Sequence, residues 1–287
     1  MQLPSHQPRV GLHVKGFAAG ILAAVFYGTN PLGTLPLYAD GINSGSVLFY
    51  RYGLSVVTFI LWLLLRGESL KIKWGHAIKL AILGAMFAMS SLTLYESFHF
   101  MNAGVASTIL FSYPIMTALI MVMFYHERVN VRTALAILLA VSGIALLYAL
   151  YIVYVKQFKI EGMSSEKFTA WIIFFGWLAL ILFMFFKGER LQLLHGTQWL
   201  WGIQLALLPT VGSLFLINIA IKCIGATPTA IMGAIEPLTA VAISCCLFGE
   251  EFTLRLFCGI VLILSAVILI ILRKQPKTTT SKNPLDK

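Results

Sequence analysis

Glu236 stands directly before Pro237 inside a long apolar run, and Arg51 lies within another, in the context LFYRYG. A carboxylate withdrawn from water binds a cation or takes up a proton, and a guanidinium there offers a fork to a carboxylate. Each residue also has a plainer reading. Glu236 could be neutral or paired with a neighbouring helix for packing alone, and Arg51 could snorkel to the outer interface. Glu96 and His99 stand at i and i+3, share a helix face and could begin a metal site. No further His or Cys has a matching spacing, so neither metal nor cofactor is expected. Tyr27, Asn30, Tyr95, Tyr113 and Asn218 add mid-span polar groups, for which packing with an interfacial hydroxyl is the simpler alternative. The expected cavity lining is therefore Tyr27, Asn30, Arg51, Tyr95, Glu96, Tyr113, Asn218 and Glu236. Pro114 and Pro237 are the expected helix breaks. Proline removes a backbone donor and frees a carbonyl one turn back, so polar atoms collect there.

These groups need helices in lipid to position them. The chain is 59% hydrophobic and 11% charged, whereas a soluble domain is about 25% charged. Its mean hydropathy is +0.88. Apolar runs long enough to cross the bilayer core as helix cover Gly16–Leu37, Ser44–Leu65, His76–Phe98, Ala103–Tyr125, Arg132–Val155, Phe168–Phe186, Trp199–Cys223, Pro228–Phe248 and Leu254–Leu272. Glu236 would then sit ~12 Å into its span by helical rise. The first run is interrupted by Tyr27, Thr29, Asn30 and Pro31 and lacks a clear small-x-small cleavage site, so a cleaved signal peptide is not expected. Gly16 and Gly20 read as a small-x-x-x-small helix contact.

The net charge of +10 does not point to nucleic acid. Its Lys and Arg crowd one loop (Arg66, Lys71, Lys73, Lys79) and the tail (Arg273, Lys274, Lys277, Lys282, Lys287), which is the positive-inside pattern. Cys223, Cys245, Cys246 and Cys258 form no C-x-x-C pair and read as small apolar packing residues.

The chain also repeats itself. At one constant offset of 123 positions Pro114 pairs with Pro237, Glu127 with Glu250, Arg132 with Arg255 and Ser142 with Ser265. Upstream, an offset of 121 pairs Tyr27 with Tyr148, Gly41 with Gly162 and Ser44 with Ser165. Ten crossings with the N-terminus inside place nearly all Lys and Arg on one side, whereas nine divide them almost evenly, so the charge rule wants ten. Yet both repeats claim Ile137–Leu147, and two crossings with a turn need roughly 40 residues. The reading is that about 15–25 residues of a two-repeat ancestor are absent between Leu147 and Tyr148. The alternative is a true nine-span chain with one continuous helix over Arg132–Val155. Glu127 and Glu250 close their spans and are expected to cap loops or the start of the span that follows.

The motif AGVASTILFSYPIMTALIMVMFYHER with a following AVSGIALL, its second copy ATPTAIMGAIEPLTAVAISCCLFGEE, the arginine of LFYRYG and the stretch YALYIVYVKQ together resemble an EamA domain of the drug/metabolite transporter superfamily. The resemblance covers nearly all of Gly16–Leu272 and is not specific to a substrate. It implies an all-α membrane protein of two inverted repeats of about five helices, with the substrate near the midplane. On that plan residues 1–15 are a cytoplasmic segment, 16–147 the first repeat, 148–272 a second repeat shortened at its start, and 273–287 a polar cytoplasmic tail. The function implied is a carrier in a bacterial-type inner membrane that moves a small polar metabolite, an amino acid or similar, by alternating access. Glu236 allows proton coupling. Two rivals stand beside it, a membrane-embedded lipid-modifying transferase and an inactive degenerate repeat protein. An enzyme would need His, Asp or Cys groups converging near one face. Here the polar residues are scattered over several helices.

Overall fold

The computed structural model describes residues 9–111, 163–224, 229, 232–233, 235–254, 257, 260–261 and 265. Tyr113, Pro114, Glu127, the junction at Leu147 and Tyr148, and the expected span Arg132–Val155 lie outside them. Among the described residues the regular structure is entirely helical: α1 (Arg9–Gly28), α2 (Asn30–Ala39), α3 (Ser44–Leu65), α4 (Trp74–Ser97), α5 (Ala103–Leu110), α6 (Ser165–Lys187), α7 (Gln198–Ala206), a π-helical turn (Leu207–Gly212), α8 (Ser213–Ile224) and α9 (Ile235–Phe248). Ser44–Leu65, Trp74–Ser97, Ser165–Lys187 and the continuous stretch Gln198–Ile224 are long and apolar enough to cross a membrane.

The helix ends follow local chemistry. Asn43 opens α3 by accepting the Ser46 N–H at 2.7 Å, and Ser164 opens α6 by accepting that of Lys167 at 3.2 Å. Both satisfy amide donors that the first helical turn leaves unpaired. Gly188 ends α6 in the left-handed region at φ 70°, where a side chain would be strained. Two expected spans are not uniform α-helix. The first breaks at Thr29 between α1 and α2, and the seventh carries the π-turn around Pro209. In both places a proline lacks the N–H that would continue the ladder.

Helix α1 packs on α8, α4 and α3 pack on α6, α7 lies against α2 and α3, and α9 lies against α1 and α5. With lipid as the alternative partner, such contacts depend on close fit rather than on hydrophobic drive. The α4–α6 contact is the tightest kind. A Cβ on Gly84 would stand 2.6 Å from the Gly176 nitrogen and 2.6 Å from the Ile172 carbonyl oxygen. Gly16 likewise abuts Cys223 and Ile224 of α8, and Gly20 abuts Ala220. Leu61, Leu65, Leu182, Phe185 and Leu200 remain exposed, as an apolar outer surface for lipid requires.

The loops define two ends. At one, Ser164 donates to Glu68 at 2.7 Å, the Lys167 ammonium donates to the Lys71 carbonyl at 3.0 Å and Lys222 pairs with Glu166 at 3.2 Å. The basic loop is therefore at this end. At the other, Gln192 accepts the Asn43 N–H at 2.6 Å and donates to the Gly41 carbonyl at 3.1 Å, and Gln198 donates to Asp40 at 3.0 Å.

Glu250 sits at this second end too, but its task differs from the one expected. Its carboxylate accepts the N–H groups of Ala103 at 2.9 Å and Gly104 at 3.3 Å. It thus caps α5, in the other half of the chain. A carboxylate on a helix N-terminus meets both orphan donors and the positive end of the dipole.

Two substitutions test this packing in detergent-purified protein by thermal unfolding. Gly84→Val forces two backbones apart and should cost about 1–3 kcal/mol. Glu250→Ala should cost ~1 kcal/mol, the usual loss of a helix cap. Unchanged melting temperatures would contradict the contacts described.

Candidate functional site

Three prolines set up the site. In an α-helix the N–H of residue 31 would bond the carbonyl of Tyr27, but Pro31 has none. Asn30 fills the gap, its side-chain N–H donating to that carbonyl at 2.7 Å. Pro209 in the same way frees the carbonyl of Leu205, and the Thr210 hydroxyl donates to it at 3.0 Å. Pro237 frees the carbonyl of Gly233, which accepts the Glu236 N–H at 3.0 Å. Each break therefore fixes a polar residue next to its proline. The α1–α2 break and the π-turn are also linked to each other, since Gln204 donates to the Thr29 hydroxyl at 3.0 Å.

Arg51, on α3, joins these breaks. It is 1% exposed, so its guanidinium is buried within the bundle and does not snorkel. Its Nε donates to the Thr210 hydroxyl at 2.8 Å and its Nη1 to the Tyr95 hydroxyl at 3.0 Å. Donor directions are fixed throughout. Thr210 has already placed its one hydrogen on Leu205, so it offers Arg51 a lone pair. Tyr95 passes its hydrogen to the Asn30 carbonyl oxygen at 3.0 Å, and Asn30 hands on to Tyr27. The result is a directed chain from Arg51 through Tyr95 and Asn30 to the backbone at the break between α1 and α2. The Nη2 of Arg51 is buried and, among the described residues, has no hydrogen-bond partner.

Glu236 opens α9 and is 8% exposed. Among the described residues its carboxylate forms neither an ion pair nor a hydrogen bond. Tyr27 stands on α1 one residue before Gly28, where α1 meets the start of α9. Gly28 allows this close approach: a Cβ there would stand 2.7 Å from the Glu236 carbonyl oxygen and 2.6 Å from Thr239.

The structure thus gathers Tyr27, Asn30, Arg51, Tyr95 and Glu236 into one region, with Pro237 beside it. Other expected residues lie elsewhere. Glu96 pairs with Lys187 at 3.6 Å near the second end, with side chains 34% and 45% exposed. His99 stacks on Tyr38 with ring centroids 4.2 Å apart and lies 3.2 Å from the Ser44 hydroxyl. The two do not converge on a common ligand. Asn218 is half-buried on α8 and takes no part in the Arg51 network. Thr210 and Gln204 are members that sequence reasoning passed over. For Thr210 the available signal was Pro209 beside it, the same signal that marked Glu236 before Pro237.

Comparison with known proteins fits this architecture. The EamA-like transporter family model matches the chain twice, over residues 14–149 and 143–272, and the chain belongs to that family. The two matches share residues 143–149, which overlaps the stretch Ile137–Leu147 that both repeats claim in the sequence. An uncharacterized transporter of Archaeoglobus fulgidus is 25% identical over 273 residues, covering 88% of this chain and 95% of that protein. A crystal structure at 14% identity shares the fold with a TM-score of 0.64, covering 90% of this chain and 96% of that one. The family and the relative point to a transporter in the membrane and away from an enzyme.

Thr210→Val keeps the shape of the side chain and removes the acceptor for Arg51. It should cost about 1–3 kcal/mol, the penalty for leaving a buried donor unpaired. Thr210→Ser should retain most of the stability. Equal thermal unfolding of the two variants would contradict the assigned role.

Proposed function

We propose that this protein is a carrier that moves a small polar metabolite across a bacterial-type inner membrane by alternating access, with its site where the α1–α2 break, the π-turn and the start of α9 meet. One observation carries the reading. A carboxylate at one helix break and a guanidinium facing two others are buried, no ion pair joins them, and among the described residues each keeps unused hydrogen-bonding capacity. Packing alone gives no return for two such groups, because each unpaired polar atom in lipid costs free energy. A solute that supplies the missing partners accounts for both. Breaks of this kind near mid-membrane are where carriers bind cargo.

In this reading the chain has ten helices in two inverted repeats, 16–147 and 148–272, with Pro114 and Pro237 at equivalent positions and Tyr113 facing the site as Glu236 does. The end that carries Arg66, Lys71, Lys73, Lys167 and Lys222 is cytoplasmic by the positive-inside rule, which also places residues 1–15 and the tail 273–287 there. Glu236 alternates between a cationic group of the cargo and a proton, which couples transport to the proton gradient. The overlap of the two repeats at 143–149 favours a second reading, an inactive protein shortened at its junction.

Glu236→Gln should lower uptake or efflux, or flatten its pH dependence, while expression stays near normal. Transport by proteoliposomes of wild type and variant checks this, and an unchanged rate and pH profile would leave Glu236 a packing residue. No transport by the wild type would favour the inactive reading. Reporter fusions at the two termini should both report cytoplasm. A periplasmic C-terminus would mean nine crossings and would overturn the assigned topology.

A further inference from the structure

We infer that the groove between α3, α6 and the loop joining α3 to α4 binds an anionic phospholipid, with the first carbons of a chain in the groove and the phosphate held by Arg66, Lys71 and Lys167. This goes beyond the carrier reading above and does not depend on it.

The groove itself is apolar. Ile60 and Leu63 of α3, Leu70 of the loop, and Ala170, Trp171 and Phe174 of α6 line a cavity of about 60 Å³. That is roughly twice the ~30 Å³ that one water takes in the liquid, and a polar solute would lose its hydrogen bonds on entering. A short hydrocarbon segment fits in both size and chemistry. The wall also holds an unmet donor: the Nε1 of Trp171 is buried and, among the described residues, has no hydrogen-bond partner. Trp62 and Trp74, 37% and 81% exposed, stand at the same end, where indoles mark the boundary between membrane and water. The groove therefore lies at the level where ester oxygens join a phospholipid's phosphate to its chains. Such an oxygen is an acceptor for the indole N–H.

The rim supplies the charge. Arg66 follows Leu63 by three residues, Lys71 follows Leu70 directly, and Lys167 precedes Ala170 and Trp171 by three and four. Residues at those helical spacings are neighbours, so each cation stands next to a lining residue. The Lys167 ammonium donates to the Lys71 carbonyl at 3.0 Å, which ties the loop to α6. The Arg66 guanidinium lies over the Trp62 ring, 4.8 Å from its centroid. Among the described residues none of the three cations pairs with a carboxylate. The nearby carboxylates are engaged otherwise, Glu68 by the Ser164 hydroxyl at 2.7 Å and Glu166 by Lys222 at 3.2 Å. A phosphate that carries net negative charge meets these cations, and clustered Lys and Arg at a membrane surface select such lipids. A zwitterionic headgroup brings its own cation against theirs.

The test uses full-length, delipidated protein in detergent, with binding read by native mass spectrometry. Phosphatidylglycerol should bind about 10-fold or more tightly than phosphatidylcholine of the same chains. Arg66→Gln, Lys71→Gln and Lys167→Gln should each weaken phosphatidylglycerol about five-fold, the share of one cation near the surface, and leave phosphatidylcholine as it was. Melting temperatures in phosphatidylcholine check that each variant folds. Glycerol 3-phosphate, which has the phosphate without the chains, should not compete. Competition by it at equal concentration would mark a site for soluble phosphates and overturn the lipid assignment. The chain is located by tryptophan quenching at saturating lipid, with bromine placed high on the chains. Brominated phosphatidylglycerol should quench more than brominated phosphatidylcholine, and Trp171→Phe should abolish that excess. Equal affinity for the two lipids, charge variants that bind phosphatidylglycerol like the wild type, or an excess that survives Trp171→Phe would each overturn the inference. All are read without transport, so their outcome is separate from that of the carrier reading.

Discussion

The buried guanidinium of Arg51 is the constraint around which the centre of this bundle is organised. A group that keeps its charge at any accessible pH gains nothing by losing a proton, so it must be met by polar atoms or moved to water. At 1% exposure it has no access to water. The surrounding helices answer with hydroxyl oxygens from α4 and the π-turn, and with an amide from α2 behind them. Those oxygens accept from Arg51 through lone pairs while donating their own hydrogens elsewhere. The orientation of the whole network follows from that order of donors.

Prolines provide the acceptors. A proline in a membrane helix leaves a carbonyl without its partner, and in lipid that carbonyl must be satisfied by the protein. Asn30 and Thr210 each perform this repair for the carbonyl freed by the neighbouring proline, and each turns its remaining hydrogen-bonding capacity towards the Arg51 network. The same residues thus mend the backbone and present polar atoms at the centre of the bundle. This couples the shape of the breaks to the charge they surround. A change in what Arg51 binds would be felt at the α1–α2 break through Tyr95 and Asn30, without any long-range device beyond hydrogen bonds.

The halves of the chain are tied by backbone caps as well as by packing. Glu250 closes α9 and reaches across to the first amides of α5, a contact between residues 147 apart in sequence for Ala103. Its repeat partner in the sequence is Glu127. The close backbone approach of Gly84 and Gly176 fixes α4 on α6, and α4 carries Tyr95. Helix packing that looks remote from the charges therefore sets where one of their partners stands.

Much of this was legible in the residues. Apolar runs and helix caps report local properties, the cost of exposing backbone to lipid and the unpaired amides of a first turn, so the span Ser44–Leu65 has the same bounds in sequence and structure. The effect of a proline is also local, since the carbonyl it frees lies four residues back, and this marked Glu236. The register of the repeat and the crowding at its junction needed only spacing. What could not be read was which polar groups meet. The oxygen that takes Arg51 Nε belongs to Thr210, 159 positions away, and Glu96, similar to Glu236 in chemistry, points to Lys187 at the surface instead. Partner choice depends on how each helix is rotated about its axis and how deep it sits against its neighbours. Those quantities come from the fit of side chains across helices, such as a glycine against a glycine, and no single helix contains them.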